Sequence, residues 1–185
     1  PPLAVLVLGK MKRTASPREK RMAAVPTQWW KRLAALAAFY VLVYFAFGYF
    51  VAWQWEEVRL FYSGTTAIKP FFTHFSDPFF KEDPLIVPFQ LLRGALWALL
   101  ATAVVRLTSV RRWEASLAVA LTFAVLLAVP LALFPNPYMP PIVRQAHFFE
   151  LLSSMLVFGG TAGWVLHGRE RGEEATRQSA LAPQS

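Results

Sequence analysis

Four long apolar runs dominate this sequence and restrict it to one class of fold. They cover residues from about 29 to 53, 88 to 105, 113 to 134 and 142 to 167. A helix that crosses the hydrocarbon core of a bilayer needs about 20 predominantly apolar residues, with a range of about 17 to 25. All four runs meet this length, the second only just. We therefore expect an all-α integral membrane protein, a four-transmembrane-helix bundle over residues 29–167.

The composition agrees with a membrane protein and argues against several kinds of chemistry. Of the 185 residues, 56% are hydrophobic and 16% are charged, whereas soluble domains are usually about 25% charged. The sequence has no cysteine and only three histidines, which excludes thiolate nucleophiles and leaves no obvious metal site. Serine-hydrolase, metalloprotease and phosphate-loop motifs are also absent. We expect no metal, no cofactor and no enzymatic activity.

Positive charge is unevenly distributed between the connections, and this predicts the orientation. The amino-terminal segment, the 106–114 connection and the tail after His167 are basic, whereas the 54–87 loop carries more acidic than basic residues. Basic loops mark the cytoplasmic side of a membrane. We expect both termini to be cytoplasmic, in a bacterial inner membrane. Beside a span, the basic start indicates the lipid bilayer as partner rather than nucleic acid.

The chain divides into three parts around the apolar runs. Residues 1–28 form a basic cytoplasmic segment, and Met11 looks like a natural start, so that residues 1–10 are left out of the functional argument. The transmembrane domain covers 29–167. Residues 168–185 are charged and small, which is typical of a disordered cytoplasmic tail.

The loop between the first two spans is rich in aromatic residues. The first helix is expected to continue beyond the lipid, with Gly64 supplying a left-handed stop. A cluster of phenylalanines follows, and Asp77 before Pro78 is typical of a helix cap and first helical position. So many apolar rings are costly in water. We therefore expect a short interfacial helix packed over the outer end of the bundle.

Two ionisable residues fall inside spans, where a charge is expensive. Counted from the outer side, Arg93 and Glu150 lie about 7.5 and about 12 Å along their helices at a rise of about 1.5 Å per residue. Given the uncertainty of span ends, the two charges are candidates for an ion pair. Helical spacing places His147 and Ser154 on the face of Glu150, and Gln90 lies one turn from Arg93.

This polar cluster admits more than one interpretation. An Arg93–Glu150 clasp would fix which helices pack together and at what register. A functional site would instead relay protons or bind an anionic or amphipathic ligand from the outer side. Metal binding by His147 and Glu150 lacks further ligands that would complete a coordination sphere.

Gly159 and Gly163 have the small-xxx-small spacing that permits close approach of two helices. Packing inside the bundle is the usual meaning of this spacing, and homodimerisation is the alternative. Homo-oligomers and other membrane subunits are therefore the protein partners to expect.

Three functions are compatible with these features. The first is a non-enzymatic accessory, assembly or sensory membrane subunit that works through its outer loop or its Gly159–Gly163 face. The second is a small oligomeric transporter or proton-coupled carrier in which Glu150 titrates and His147 assists. An intramembrane enzyme ranks last, because no nucleophile or metal set accompanies these residues.

Overall fold

The computed structural model describes residues 29–77, 84–108 and 110–167, and every regular element in these ranges is helical. The elements are α1 (Trp29–Phe47), a π-helical segment (Gly48–Ala52), α2 (Glu56–Ser63), α3 (Phe71–Asp77), α4 (Ile86–Leu107), α5 (Arg112–Leu133) and α6 (Pro141–His167). The basic segment 1–28 and the tail 168–185, for which the sequence analysis makes predictions, lie outside the described residues.

Two compact units divide the chain, residues 1–31 and residues 32–185. Of the first unit, the described residues are the three that open α1, where the rings of Trp29 and Trp30 meet edge to face at 4.7 Å. The contacts described below all belong to the second unit.

Four of the helices are long and apolar enough to cross a membrane, which confirms the all-helical prediction and the number of candidate spans among the described residues. They cover Trp29–Ala52, Ile86–Leu107, Arg112–Leu133 and Pro141–His167. Each boundary lies within about two residues of the expected one. The second candidate span is longer than expected, because its helix begins at Ile86 and ends at Leu107.

The core of the second unit is built from aromatic side chains of α1, α4, α5 and α6. Phe158 of α6 is fully buried, with the ring of Tyr40 edge-on at 5.2 Å and that of Phe123 stacked at 6.2 Å. Phe39 and Trp97 extend this cluster, the first against Phe158 and the second against Phe123. We call these five residues the aromatic core. It fills the middle of the bundle with apolar surface, the main source of close packing there.

The first helix does not continue into α2 as expected. The π-helical segment closes with a hydrogen bond of 2.8 Å from the Trp53 amide to the Gly48 carbonyl, and Trp55 is extended at φ −80 and ψ 129. This break redirects the chain, so that Val58 of α2 is buried against Val143 and Ala146 of α6. Helix α2 therefore packs on the start of α6 instead of projecting from the bundle. We call this end of the bundle the α2 end.

Arg59 fastens the connections around α2. Its Nε donates to the Thr66 carbonyl at 2.7 Å, and its Nη1 donates to the carbonyls of Trp53 and Gln54 at 2.8 and 2.9 Å. The side chain is buried, and the three backbone acceptors offset part of its desolvation cost. One arginine thus joins the turn before α2 to the loop after it.

Helix α3 confirms a short helix in the aromatic loop but differs from the expectation at its end. Asp77 is the last residue of α3, not a cap that precedes a helix. The Phe71 ring stacks on Phe50 at 5.3 Å and meets Tyr49 edge-on at 5.1 Å, whereas Phe72 is 83% exposed. One face of α3 therefore packs on the π-helical segment and the other presents an apolar ring. Residues 78–83, which include Pro78, Phe79 and Phe80, lie outside the described residues.

Gly64 ends α2 in the left-handed conformation that the sequence analysis expects, with φ 67 and ψ 9. A Cβ atom at this position would meet nothing within 4 Å, so a substitution is penalised by backbone strain alone. We expect Gly64→Ala to reduce the free energy of unfolding by about 1–2 kcal/mol. Equilibrium unfolding in detergent measures the loss. Gly64→Asn, which tolerates this conformation better, should lose less; equal losses would contradict a strain origin.

Candidate functional site

The centre of the candidate site is a hydrogen bond between two residues of α6. His147 Nδ1 lies 2.6 Å from Glu150 Oε2, and the two residues are three positions apart on the helix. Glu150 is 7% exposed, so its carboxylate lies almost entirely inside the protein. The structure therefore brings these two predicted residues together, through the helical spacing on which the prediction was based.

A third residue, Tyr62 of α2, completes the site. Its hydroxyl lies 3.0 Å from His147 Nε2, and its ring meets the imidazole edge to face at 5.7 Å. An ionised carboxylate only accepts hydrogen bonds, so His147 Nδ1 is the donor to ionised Glu150, and the second hydrogen bond joins Nε2 to the Tyr62 hydroxyl. We call Tyr62, His147 and Glu150 the polar chain. It runs from a half-exposed phenol to a buried carboxylate.

Sequence reasoning missed Tyr62 because nothing local marks it. The residue lies 85 positions before His147, and it reaches the imidazole only because the break after Ala52 folds α2 back onto α6. A helix continuing straight from α1 would have carried this phenol away from the bundle.

The pKa of Tyr62 is raised above its ordinary value of 10.0, first because burial disfavours the phenolate and second because the Glu150 carboxylate repels it. The phenol is therefore a neutral hydrogen-bond donor at physiological pH. Since the folded-state pKa is the higher one, its contribution to stability is fully present below about pH 10 and is lost as the pH rises through the raised value.

We expect Tyr62→Phe to loosen α2 without unfolding the bundle. Removing one hydrogen bond costs about 0.5–1.5 kcal/mol, and the ring packing on His147 is kept. Hydrogen exchange of the α2 amides should become faster, while exchange in α5 stays unchanged. Tyr138→Phe is the control, since Tyr138 is 87% exposed. Equal exchange in both variants would show that the phenol does not hold α2.

The π-helical segment borders the buried carboxylate. A Cβ atom added to Gly48 would lie 3.6 Å from Glu150 Oε1, so the backbone of Gly48 passes beside the carboxylate. π-Helical turns inside α-helices are frequent at functional sites. Here the widened turn lies beside the one buried acid among the described residues.

Arg93 does not pair with Glu150 in the described structure. Its Nη1 donates to Gln90 Oε1 at 3.3 Å, and its guanidinium lies 5.9 Å from the ring centres of both Tyr40 and Phe89. Within the described ranges, Glu150 is within 4.0 Å of His147 and forms no salt bridge with Arg93. The expected direct clasp is therefore not formed, and Arg93 is stabilised by an amide and by aromatic faces instead.

Gly94 explains the position of Arg93. A Cβ atom at Gly94 would lie 2.7 Å from the Tyr40 Cβ and 2.9 Å from the Ala37 carbonyl oxygen. Helix α4 therefore touches α1 at this glycine, and the neighbouring guanidinium is held beside the Tyr40 ring. The predicted cluster thus separates into two groups, the polar chain on one side and Gln90 with Arg93 on the other.

Ser154 does not join either group. It is buried, and its hydroxyl donates to the Leu151 carbonyl of its own helix at 3.3 Å. Its position on the face of Glu150 is as the spacing predicts, yet its hydrogen bond turns back to the backbone, as is common for serine in apolar helices.

Gly159 and Gly163 lie in close contact with α5. Cβ atoms added there would come within 2.8 Å of Ala120 Cα and 2.7 Å of Ser116 Cα, respectively. Ser116 also donates its hydroxyl to the Gly160 carbonyl at 2.6 Å. Both glycines thus face a helix of the same chain.

A cavity of about 730 Å³ opens at the α2 end between α2 and residues 135–140, the proline-rich connection between α5 and α6. Its lining includes Phe61, Tyr138 and Arg144 but no member of the polar chain. Among the described residues, no group of three or more His, Cys, Asp or Glu side chains could hold a metal ion.

The polar chain can hold α2 on α6 and can also exchange a proton between the surface and Glu150. It does not contain a nucleophile set against an open cavity. Comparisons with protein-family models, with curated proteins and with solved structures found no match to this chain.

Proposed function

We propose that this protein is a non-enzymatic multi-pass membrane subunit, with an accessory, assembly or sensory role, that acts through the surface of its α2 end. In this proposal the four apolar helices span the bacterial inner membrane and both termini are cytoplasmic. The distribution of basic residues supports that orientation. The α2 end then faces outward.

The observation that carries the proposal is an apolar surface on elements outside the candidate spans. Leu60 and Phe61 of α2 are 54% and 43% exposed, and Phe72 of α3 is 83% exposed. Exposed apolar patches of this kind commonly mark interaction sites. Val58 on the opposite side of α2 is buried, so the exposed side is held in a fixed orientation.

The polar chain supports the same proposal because it holds α2 on α6. The Tyr62–His147 hydrogen bond ties α2 to α6, and the charge-assisted hydrogen bond from His147 to Glu150 fixes the orientation of the imidazole. Helix α2 is too short to be stable by itself, since isolated helices under about 12 residues are marginal in water. Its position therefore depends on α6.

Photo-crosslinking from α2 tests the proposal. A photoreactive amino acid at Phe61 should give a crosslinked product of discrete mass with another protein subunit or a second copy in native membranes. The control is the same group at Leu126, a 52% exposed position within the α5 candidate span, which should react with lipid. Lipid products at both positions would overturn the proposal.

A proton-coupled carrier is the second candidate, and the polar chain is the observation that favours it. A proton entering at His147 Nε2 from Tyr62 can leave from Nδ1 to Glu150, after which Tyr62 is reprotonated from outside. The aromatic core lies between Glu150 and the end of the bundle opposite α2. In this conformation the relay therefore connects Glu150 with the α2 end only. This is why we place the carrier second.

Proton flux into proteoliposomes separates the two candidates. The accessory role predicts that wild type, Glu150→Gln and protein-free vesicles acidify at the same rate under a pH gradient. A carrier predicts proton flux in the wild type and none in the Glu150→Gln variant, although this variant folds normally. Flux dependent on Glu150 would replace the first proposal by the second.

A further inference from the structure

The end of the bundle opposite α2 carries two arginines held by the last turn of α6. Arg32 Nη1 donates to the Val165 carbonyl at 2.8 Å, and Arg112 Nε donates to the Trp164 carbonyl at 3.0 Å. The two acceptors are consecutive residues, so guanidinium groups from α1 and α5 bind α6 at the same level along its axis. We call Arg32 and Arg112 the arginine pair.

Trp164 orients one member of the pair. The Arg112 guanidinium carbon lies 4.1 Å from the centre of the Trp164 ring, close enough for a cation–π interaction. The indole is 47% exposed. The guanidinium is therefore fixed over an amphipathic ring of the kind that is favoured at the boundary between lipid and water.

The carbonyl contacts leave most of the positive charge unbalanced. A helix carboxyl terminus carries a partial charge of roughly −0.5, so the carbonyl contacts balance only part of the charge of the two guanidiniums. Each guanidinium has five N–H donors, and one carbonyl contact occupies only one of them. Neither arginine forms an ion pair with an acidic residue in the described part of the chain.

We propose that the arginine pair binds the phosphate of an anionic phospholipid headgroup. The guanidinium fork matches phosphate oxygens in a bidentate manner. The site lies at the ends of three candidate spans, α1, α5 and α6, where headgroups lie if these helices cross a bilayer. Basic sites between helix ends on the cytoplasmic side are suited to anionic headgroups. The inference rests on the proposed membrane location, but not on the accessory role.

Native mass spectrometry of the full-length protein with bound lipid tests the site. Phosphatidylglycerol and phosphatidylcholine with identical acyl chains are the probes. We expect the wild type to prefer phosphatidylglycerol by roughly thirtyfold if each arginine contributes the usual attraction to an anionic headgroup. The Arg32→Gln, Arg112→Gln double variant should lose most of this preference.

The matched control removes the same number of charges at exposed positions near this end. Arg106→Gln with Arg111→Gln should keep the preference, because these side chains lie outside the pair and are exposed. Equal loss in both double variants would show diffuse charge attraction and overturn the site. Binding of inorganic phosphate that displaces the lipid at similar concentration would show a free-anion site and would also overturn it.

A conservative variant keeps the test decisive if the glutamine variant does not fold. Arg32→Lys with Arg112→Lys retains both charges but loses the guanidinium fork. A clear reduction of the phosphatidylglycerol preference supports the site, whereas an unchanged preference contradicts bidentate recognition. Wild-type binding of the two lipids with equal affinity, in protein that is folded, would reject the proposal and leave the accessory role unaffected.

Discussion

Gly163→Leu should lower the melting temperature more than any other single substitution that we propose. The added side chain begins at a Cβ that would lie 2.7 Å from Ser116 Cα and 2.9 Å from the Ala115 carbonyl oxygen. These are backbone atoms and cannot rotate away, so α5 and α6 must separate. Overpacking costs about 1–3 kcal/mol, and the Ser116–Gly160 hydrogen bond would be lost in addition. Thermal unfolding in detergent measures the result.

Gly160→Ala is the matched control for this prediction. A Cβ at Gly160 would meet the Ser116 Oγ at 3.7 Å and the Ala120 Cβ at 3.9 Å, which are ordinary contact distances. Its melting temperature should stay close to that of the wild type. A Gly163→Leu protein that remained stable but lost an oligomer would instead place this glycine face between two copies of the chain.

A double-mutant cycle between His147 and Glu150 should give the second large effect. A hydrogen bond to a charged group contributes about 1.5–3 kcal/mol, so His147→Leu and Glu150→Leu should couple by an energy in that range. The cycle of Arg93→Leu with Glu150→Leu should give a smaller coupling energy, because no salt bridge joins these two side chains. Chemical or steric-trap unfolding supplies the free energies.

Charge reversal gives an independent check of the same conclusion. The clasp predicted from depth alone requires that Arg93→Glu with Glu150→Arg restore stability lost in either single variant. The structure predicts no rescue, because Glu150 is bound by His147 and Arg93 by Gln90. Rescue, or a larger coupling for Arg93 than for His147, would contradict the separation of the two groups.

Features that depend on neighbours along the chain could be predicted from the sequence. The length of each apolar run sets the candidate spans, and the helical period places His147 and Glu150 on one face. Gly64 is predictable for the same reason, since a left-handed residue at the end of a helix favours glycine. Each of these follows from backbone geometry within a few residues.

Partners across helices could not be predicted in this way. Depth along a span is readable from the sequence, and it suggests that Arg93 meets Glu150. The rotation of each helix about its axis cannot be read from the sequence. It depends on which small residue of one helix contacts the backbone of another helix. Gly94 against Ala37 sets this rotation for α4 and turns Arg93 toward Tyr40 of α1.

Four long apolar helices can be predicted from the sequence, because hydrophobic length and helical period are local properties. The hydrogen bond from His147 to Tyr62 follows only from the tertiary structure. That arrangement needs the break between the π-helical segment and α2, and the packing of Val58 on α6. Contacts between distant residues depend on how the helices are rotated and where the chain folds back. The sequence of a single span specifies neither.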